Sequence, residues 1–280
     1  MAALVDVRPV PSGATLLDVA RAADLGYVEI VAANPGIDPW MPQSGAEIRL
    51  PALHIAPEGD APLVVNLGDM RLYYTAPDGS RTSYPIGIGR EGWELKSGTE
   101  TRVAGKRRNP AWIPPASIRA EKPWLPERIP PGPDNPLGAY SLDLALSLVR
   151  IHGTNLPDGV GRRVSHGCIR MYPEDIEALF PRIAAGTRVL IVDQPAKLGW
   201  VEGELWLEVH PSQAQADAIE DGLPPPLEPV PGLEDSIRKV VGPALARVDW
   251  STVSWAVESR LGIAVRITRP AAGQPVSLAP

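Results

Sequence analysis

Proline constrains this chain more than any other residue. There are 33 prolines among 280 residues, and they gather in runs such as 110-PAWIPP-115, 130-PPGP-133 and 223-LPPPLEPVP-231. Each proline fixes φ and removes a backbone donor, so these runs suit extended loops and linkers rather than the middle of a helix or sheet. Regular structure has to fit between them. The remaining composition is that of a globular protein, 44% hydrophobic and 21% charged, and the chain is long enough to bury a real core. The net charge is −6 and no basic block resembles a nucleic-acid footprint, so nucleic acid is not an expected partner. No apolar run is long enough to span a bilayer, so an integral membrane protein is not expected. The N-terminus, MAALVDVRPV, has no basic region followed by an apolar stretch, so no signal peptide is expected in this chain.

The first fifty residues have a short helical texture. In 14-ATLLDVARAADL-25 the apolar residues recur at helical spacing, and Gly26 can end the helix. A second helix fits 27-YVEIVAAN-34, closed by Pro35-Gly36. With a first strand near Val5–Val10 and an alternating strand at 46-AEIRLP-51, residues 1–52 read as a small α+β module of βααβ order. The stretches 13-GATLLDVARAADL-25, 31-VAANPGID-38 and 45-GAEIRLP-51 resemble a LysM domain, and that resemblance implies binding of glycan strands that contain N-acetylglucosamine.

After a linker, the texture turns to strands. The run 62-PLVVNLGDMRLYYTAPDGSRTSYPIGIG-89 holds two or three strands, with Asp78-Gly79 where a two-residue hairpin turn is expected. Residues 90–136, rich in Gly, Pro, Arg and Trp, read as one long loop of the functional, lid-like kind. Strands fit 138-GAYSLDL-144, 148-LVRIHG-153 and 187-TRVLIVDQ-194, with a helix at 174-EDIEALFPRI-183. Residues 61–195 thus form a mainly β domain. Residues 196–280 read as a C-terminal extension, a strand then helices, packed on that domain and free of evident chemistry. Its helical stretches are 235-DSIRKVVGPAL-245 and 250-WSTVSWAVESRL-261, and residues 216–234 read as an acidic, proline-rich surface segment.

The only cysteine in the chain is Cys168, in 165-SHGCIR-170, and two of the four histidines, His152 and His166, lie near it in sequence. One cysteine excludes an internal disulfide, so the thiol is either a small buried hydrophobe or a reagent. A nucleophilic thiol needs a means of ionising, a base for its proton, and donors for the oxyanion it creates. The stretch 149-VRIHGTNLPDGVGRRVSHGCIRM-171 holds candidates for all three. His152 is a candidate base, and the spacing suits a strand end meeting a loop. Arg162, Arg163 and Arg170 raise the local positive potential, which favours thiolate. The amides of Gly167 and Cys168 are candidate oxyanion donors. The surrounding glycines and arginines argue against an inert thiol. A zinc site built from His152, His166 and Cys168 has the ligand count but none of the usual CxxC or HxxxH spacing. That spacing argues against a metal.

These residues resemble the signature of the L,D-transpeptidase (YkuD) family: a histidine, here His152, followed by S/T-H-G-C, here 165-SHGC-168, and then 169-IRM-171. The stretches 84-YPIGIGREGW-93, 112-WIPPASIRAE-121, 133-PDNPLGAYSL-142 and 174-EDIEALF-180 also agree, whereas 95-LKSGT-99 departs from the T-P-x-G of many members. The resemblance implies a YkuD-type, β-sandwich-like catalytic domain. It implies an exported, periplasmic, cysteine-dependent acyltransferase that acts on peptidoglycan tetrapeptide stems with no metal or organic cofactor. Cys168 attacks the meso-diaminopimelate carbonyl, D-Ala leaves, and an amine takes the acyl group from the thioester. That amine belongs to another stem, giving a 3–3 crosslink, or to an outer-membrane protein or lipoprotein being anchored. An L,D-carboxypeptidase or hydrolase on the same scaffold and a non-catalytic wall-binding protein are the alternatives. The family also implies acylation by β-lactams of the carbapenem class. By the same resemblance His152 handles the proton and the Gly153 carbonyl orients its ring. Gly167, with His166 and Ser165, forms the oxyanion side and shapes the pocket. Arg170 holds the loop or meets a substrate carboxylate. Tyr84, Trp112 and Tyr140, which sit in the shared stretches, are expected to line the groove.

Overall fold

The structure is a computed structural model and describes residues 2–269; residues 270–280 of the expected C-terminal extension lie outside the described residues. The chain divides into two compact units. One comprises residues 1–19, 28–58 and 194–280, the other residues 20–27 and 59–193.

In the first unit, strand β1 (Val5–Pro9) pairs antiparallel with β2 (Glu47–Pro51); between them in sequence lie helices α1 (Leu16–Ala22) and α2 (Tyr27–Ala33), of which residues 20–22 and 27 are counted with the second unit. The βααβ order is as expected. The N-terminus of α1 is capped reciprocally: the Asp18 amide donates to Thr15 Oγ1, and Asp18 Oδ2 accepts from the Thr15 amide at 2.8 Å. The helix stops at Ala22, short of Gly26, and Asp24 takes a positive φ of 55°. Asn34 ties the end of α2 to β2, because its side chain donates to the carbonyls of Ile30 and Arg49 and accepts from the Arg49 amide.

The second unit is built on a nine-stranded mixed sheet. Its strands are β3 (Leu63–Asn66), β4 (Arg71–Thr75), β5 (Arg81–Gly89), β6 (Thr99–Arg108), β7 (Tyr140–Leu144), β8 (Arg150–His152), β9 (Arg163–Ser165), β10 (Ile169–Met171) and β11 (Arg188–Val192). Helix α3 (Ala116–Glu121) follows β6, and α4 (Pro173–Leu179) follows β10. The strand order is β10-β8-β7-β6-β11-β3-β4-β5-β9, with a further pairing of β10 to β5. Eight of the strands therefore close into one circuit, with β9 attached to β5 alone, instead of the two facing sheets that a sandwich would have. Alternate residues point inward, and Leu63, Leu72, Ile86, Leu142, Ile151, Ile169 and Ile191 are fully buried.

Two expectations change here. The connection from β4 to β5 is a three-residue loop, Pro77-Asp78-Gly79, closed by the Ala76 amide donating to the Ser80 carbonyl and the Gly79 amide donating to the Ala76 carbonyl, with Gly79 at φ 84°. It is not the two-residue turn that Asp-Gly suggested. Residues 90–136 are not one loop, since they contain all of β6 and α3. The β6 sequence TETRVAGKRR buries only Val103, so no apolar alternation announces it. Its neighbours β7 and β11 make it a strand through the ladders they share with it.

The first unit resumes with a hairpin, β12 (Ala196–Val201) and β13 (Glu204–Val209), then helices α5 (Gln213–Glu220), α6 (Leu233–Val241) and α7 (Trp250–Ser259), and a short strand β14 (Val265–Arg266) that pairs with β13. Part of the segment read as an acidic, proline-rich surface stretch, residues 216–234, falls in α5, whose N-terminus carries a Ser212/Gln215 capping box. Leu205, Leu207, Ile237, Val253 and Val265 form its core. The amide of Leu4 donates to Ala264, and that of Arg266 to Ala2. The two ends of the chain thus share this unit through backbone hydrogen bonds that no sequence pattern announces. Among the described residues, no helix is long and apolar enough to cross a membrane.

Close backbone approach dictates glycine on β5. A Cβ at Gly87 would meet the Gly159 carbonyl oxygen at 2.2 Å, and one at Gly89 would meet that of Trp93 at 2.0 Å. Gly87→Ala should therefore cost roughly 1–3 kcal/mol or more in urea denaturation, the range for forced overpacking. Gly79→Ala, where a Cβ has open space, should cost only the left-handed strain of about 1–2 kcal/mol.

Candidate active site

Three neighbouring strands set the site. In the ladder Ser141 and Asp143 of β7 oppose His152 and Arg150 of β8, and His152 is in register with Arg170 of β10, which is in register with Gly87 of β5. Because side chains alternate along a strand, residues in register share a face. One face is Ser141, Asp143, Arg150, His152 and Arg170. The other is Leu142, Ile151, Ile169 and Met171, all fully buried. A polar row thus rests on an apolar floor that fixes its register.

Cys168 directly precedes β10. Its thiol donates to the Leu148 carbonyl at 3.4 Å, and Leu148 itself sits at φ 63°. His152 is buried, and its Nδ1–H donates to the Gly153 carbonyl at 2.5 Å. The Gly153 amide in turn donates to Tyr140 at 3.1 Å. With Nδ1 engaged as donor, Nε2 keeps its lone pair. The segment from Ser165 to Cys168 is a tight turn: Ser165 Oγ donates to the Cys168 carbonyl at 2.6 Å, and Gly167 sits at φ 90°. Among the described residues no hydrogen bond engages the amides of Gly167 and Cys168.

His166 points elsewhere. Its Nε2 lies 3.0 Å from both the Glu121 carboxylate and Arg90 Nη2. One nitrogen can donate to the first or accept from the second, not both. Arg90 also donates to both Glu121 oxygens, and the Trp93 ring packs edge-on at 5.1 Å. The hydrogen bond from His166, with the nearby Arg90 charge, holds the Glu121 carboxyl below its ordinary range. Helix α3 buries no side chain, so this cluster is its chief polar attachment to the turn that carries Cys168.

Burial dominates the electrostatics. It pushes the His152 imidazole down to about 4, with the Arg170 and Arg150 charges pushing the same way against the bond to Gly153. It pushes the Cys168 thiol up, against the pull of the Arg150 amide and the charges of Arg150 and Arg170. The expectation that Arg162, Arg163 and Arg170 would ionise the thiol needs correction. Arg162 stacks on Tyr27 at 4.6 Å, and buried Arg163 lies 3.6 Å from Glu94. The cations that act on the thiol are Arg150 and Arg170, and desolvation outweighs both. The thiol and the imidazole are both neutral at rest.

Two of the three aromatic residues expected to line the groove, Tyr84 and Tyr140, are placed otherwise. Tyr84 is only 5% exposed, set among Arg182, Asp175 and Asp24, and burial raises its hydroxyl; a side chain so covered lines no open groove. The Tyr140 ring packs on Phe180 at 4.9 Å, beside Arg108, and only its backbone reaches the site, through Gly153. Trp112 forms an isolated bridge with Ile129. Sequence reasoning missed Arg150, Asp143 and Ser141, the last fully buried with no hydrogen-bond partner for its hydroxyl. The signal was there: counting back two from His152 along its strand reaches Arg150.

The turn at Cys168 thus combines a neutral thiol with backbone amides that, among the described residues, have no hydrogen-bond partner, and the strand beside it carries a buried, neutral imidazole. The L,D-transpeptidase catalytic domain (YkuD) matches residues 61–191. The protein named "Probable L,D-transpeptidase ErfK/SrfK" of Salmonella typhimurium is 40% identical over 262 residues, 89% of this chain and 80% of that protein. "Probable L,D-transpeptidase YbiS" of Escherichia coli is 37% identical over 273 residues, 93% and 86% respectively. A solved L,D-transpeptidase in complex with imipenem aligns at 17% identity and a TM-score of 0.35, covering 47% of this chain and 59% of that one. The chain belongs to the L,D-transpeptidase family, whose enzymes act on peptidoglycan.

The depressed imidazole links stability to pH. Unfolded His152 titrates near 6.5 and folded His152 near 4, so the unfolded chain binds the extra proton between those values. The folded state is unpenalised above pH 6.5 and loses stability as pH falls towards 4, by about 3 kcal/mol from this group. Urea denaturation at pH 7 and pH 4 should show His152→Gln losing about 3 kcal/mol less than the wild type.

Proposed function

We propose that the protein is a cysteine-dependent peptidoglycan L,D-transpeptidase. The observation that carries this reading is the polar row of β7, β8 and β10. It sets His152, tied through Nδ1 to the Gly153 carbonyl, in register with Arg170 and next to the turn that bears Cys168. Cys168 attacks the carbonyl of the meso-diaminopimelate L-centre in a tetrapeptide stem, and the thiol proton passes to His152 Nε2. The oxyanion forms against the amides of Gly167 and Cys168. As the C–N bond breaks, His152 returns the proton to the departing D-Ala amine and the thioester remains. An acceptor amine then attacks it, His152 takes the amine proton, and the thiolate leaves and is reprotonated.

Starting from a neutral pair has a consequence. No ion pair has to be desolvated before the substrate arrives, and charge appears only as the bond forms, where the amides of the turn and the Gly153 carbonyl meet it. Ser165 holds the turn by its bond to the Cys168 carbonyl. Arg170 is largely buried beside the thiol and, among the described residues, has no carboxylate partner. It supplies a fixed positive charge for the turn or the donor.

The acceptor is an amine, either a second stem's or that of a protein being anchored. The N-terminal βααβ module is a LysM-like glycan binder that keeps the enzyme on its polymer. The site of action is the periplasm, where that polymer lies. The family signature supports a carbapenem as active-site probe.

Intact mass after incubation with a carbapenem should show a single adduct on the wild type and none on Cys168→Ala. His152→Ala should slow both acylation and D-Ala release by about 100-fold or more. A folded wild type with no adduct and no D-Ala release would refute the assignment. The module has its own test: Cys168→Ala protein should co-sediment with isolated cell walls, and deletion of residues 1–52 should reduce that binding if the remaining chain keeps its fold by circular dichroism.

A further inference from the structure

The chemistry just described leaves one arrangement on the polar face unused. Asp143 is clamped between two arginines: its Oδ1 accepts from Arg150 Nε at 2.8 Å and its Oδ2 from Arg107 Nε at 2.7 Å. Both contacts use Nε. Among the described residues no hydrogen bond engages the terminal nitrogens of Arg150. That side chain is 26% exposed, so solvent reaches it. It stands on the face of His152, two residues back along β8, and its charge acts on both the Cys168 thiol and the His152 ring. Arg170 adds a second cation in register with His152. The neutral Cys–His pair therefore sits among more positive than negative charge, with one guanidinium held at its base and free at its end.

We propose that Arg150, oriented by Asp143, is a specificity-determining residue that binds a carboxylate of the acyl donor beside the carbonyl that Cys168 attacks. A guanidinium presents paired N–H groups that match a carboxylate, and anchoring at Nε removes much of the entropy cost of aiming them. The proposal rests on the acyl-donor reading above, in which the stem carries one carboxylate on the diaminopimelate side chain and another on the departing D-Ala. The competing role is a structural staple across β7 and β8, which would leave donor charge without effect.

Alkylation of Cys168 by iodoacetate and by iodoacetamide separates the two roles. The reagents share a leaving group and differ in charge, and both attack the chain's single cysteine. Their rate ratio therefore cancels any change in thiol ionisation. Arg150→Gln should lower the iodoacetate-to-iodoacetamide ratio about tenfold, the scale of one charge-assisted hydrogen bond, and Arg150→Lys should stay within about threefold of the wild type. Equal ratios in wild type and Arg150→Gln overturn the proposal.

A second arm measures D-Ala release from tetrapeptide stems with each carboxylate free or amidated. Amidating the bound carboxylate should raise the wild-type KM about tenfold with kcat within about threefold, and should leave Arg150→Gln unchanged. This arm holds even if Arg150→Gln fails to fold, because a wild-type KM indifferent to both amidations also overturns the proposal. If the wild type releases no D-Ala while the alkylation ratio still falls, the donor assignment fails and the carboxylate preference of Arg150 stands.

Discussion

The site depends on strand β10 being bonded along both edges. It pairs parallel to β8 on one side and antiparallel to β5 on the other. Only three residues long, it has no means of persisting alone. The two ladders fix where Arg170 stands, and hence where the turn ahead of it delivers Cys168 relative to His152. The second pairing also closes the sheet, which removes the exposed edges that an open sheet would leave there. Gly87 and Gly89 make it possible, because backbone from the 153–168 segment and from Trp93 occupies the space where their side chains would be.

That enclosure also explains the electrostatics. Covering the pair takes water away from both groups, so the uncharged forms win even with Arg150 and Arg170 nearby. Positive charge around a thiol is a weaker guide to its state than burial is. Of the three arginines near Cys168 in sequence, only Arg170 acts on the thiol. Arg162 and Arg163 are engaged with Tyr27 and Glu94, whereas Arg150 arrives from the neighbouring strand. Position in the ladder, not distance along the chain, decided which charges the thiol meets.

Much of the second unit was legible where apolar alternation or a helix signal was strong. Strands β3, β4, β5, β7, β8 and β11 and helix α4 fall within stretches whose pattern announces them. Strand β6 was not legible, since its lone buried side chain, Val103, offers no period to count. Helix α5 was masked by acidic and proline-rich surroundings, although its Ser212/Gln215 box was present. The aromatic residues show the opposite failure. Tyr84 and Tyr140 lie in motif stretches, yet the side chain of one is buried among charges and the ring of the other packs on Phe180.

The sequence by itself determined the family, through the signature formed by one cysteine, a histidine at strand-to-loop range and a glycine turn. It also determined the βααβ order at the N-terminus, because helix and strand periods are local properties of consecutive residues. Only the tertiary structure decided that the two chain ends share one unit, that β6 is a strand, and that Asp143, Arg150 and Arg170 stand on the face of His152. Each of those rests on pairing between residues far apart in the chain, and the energy of such a pairing is not carried by either partner's own sequence.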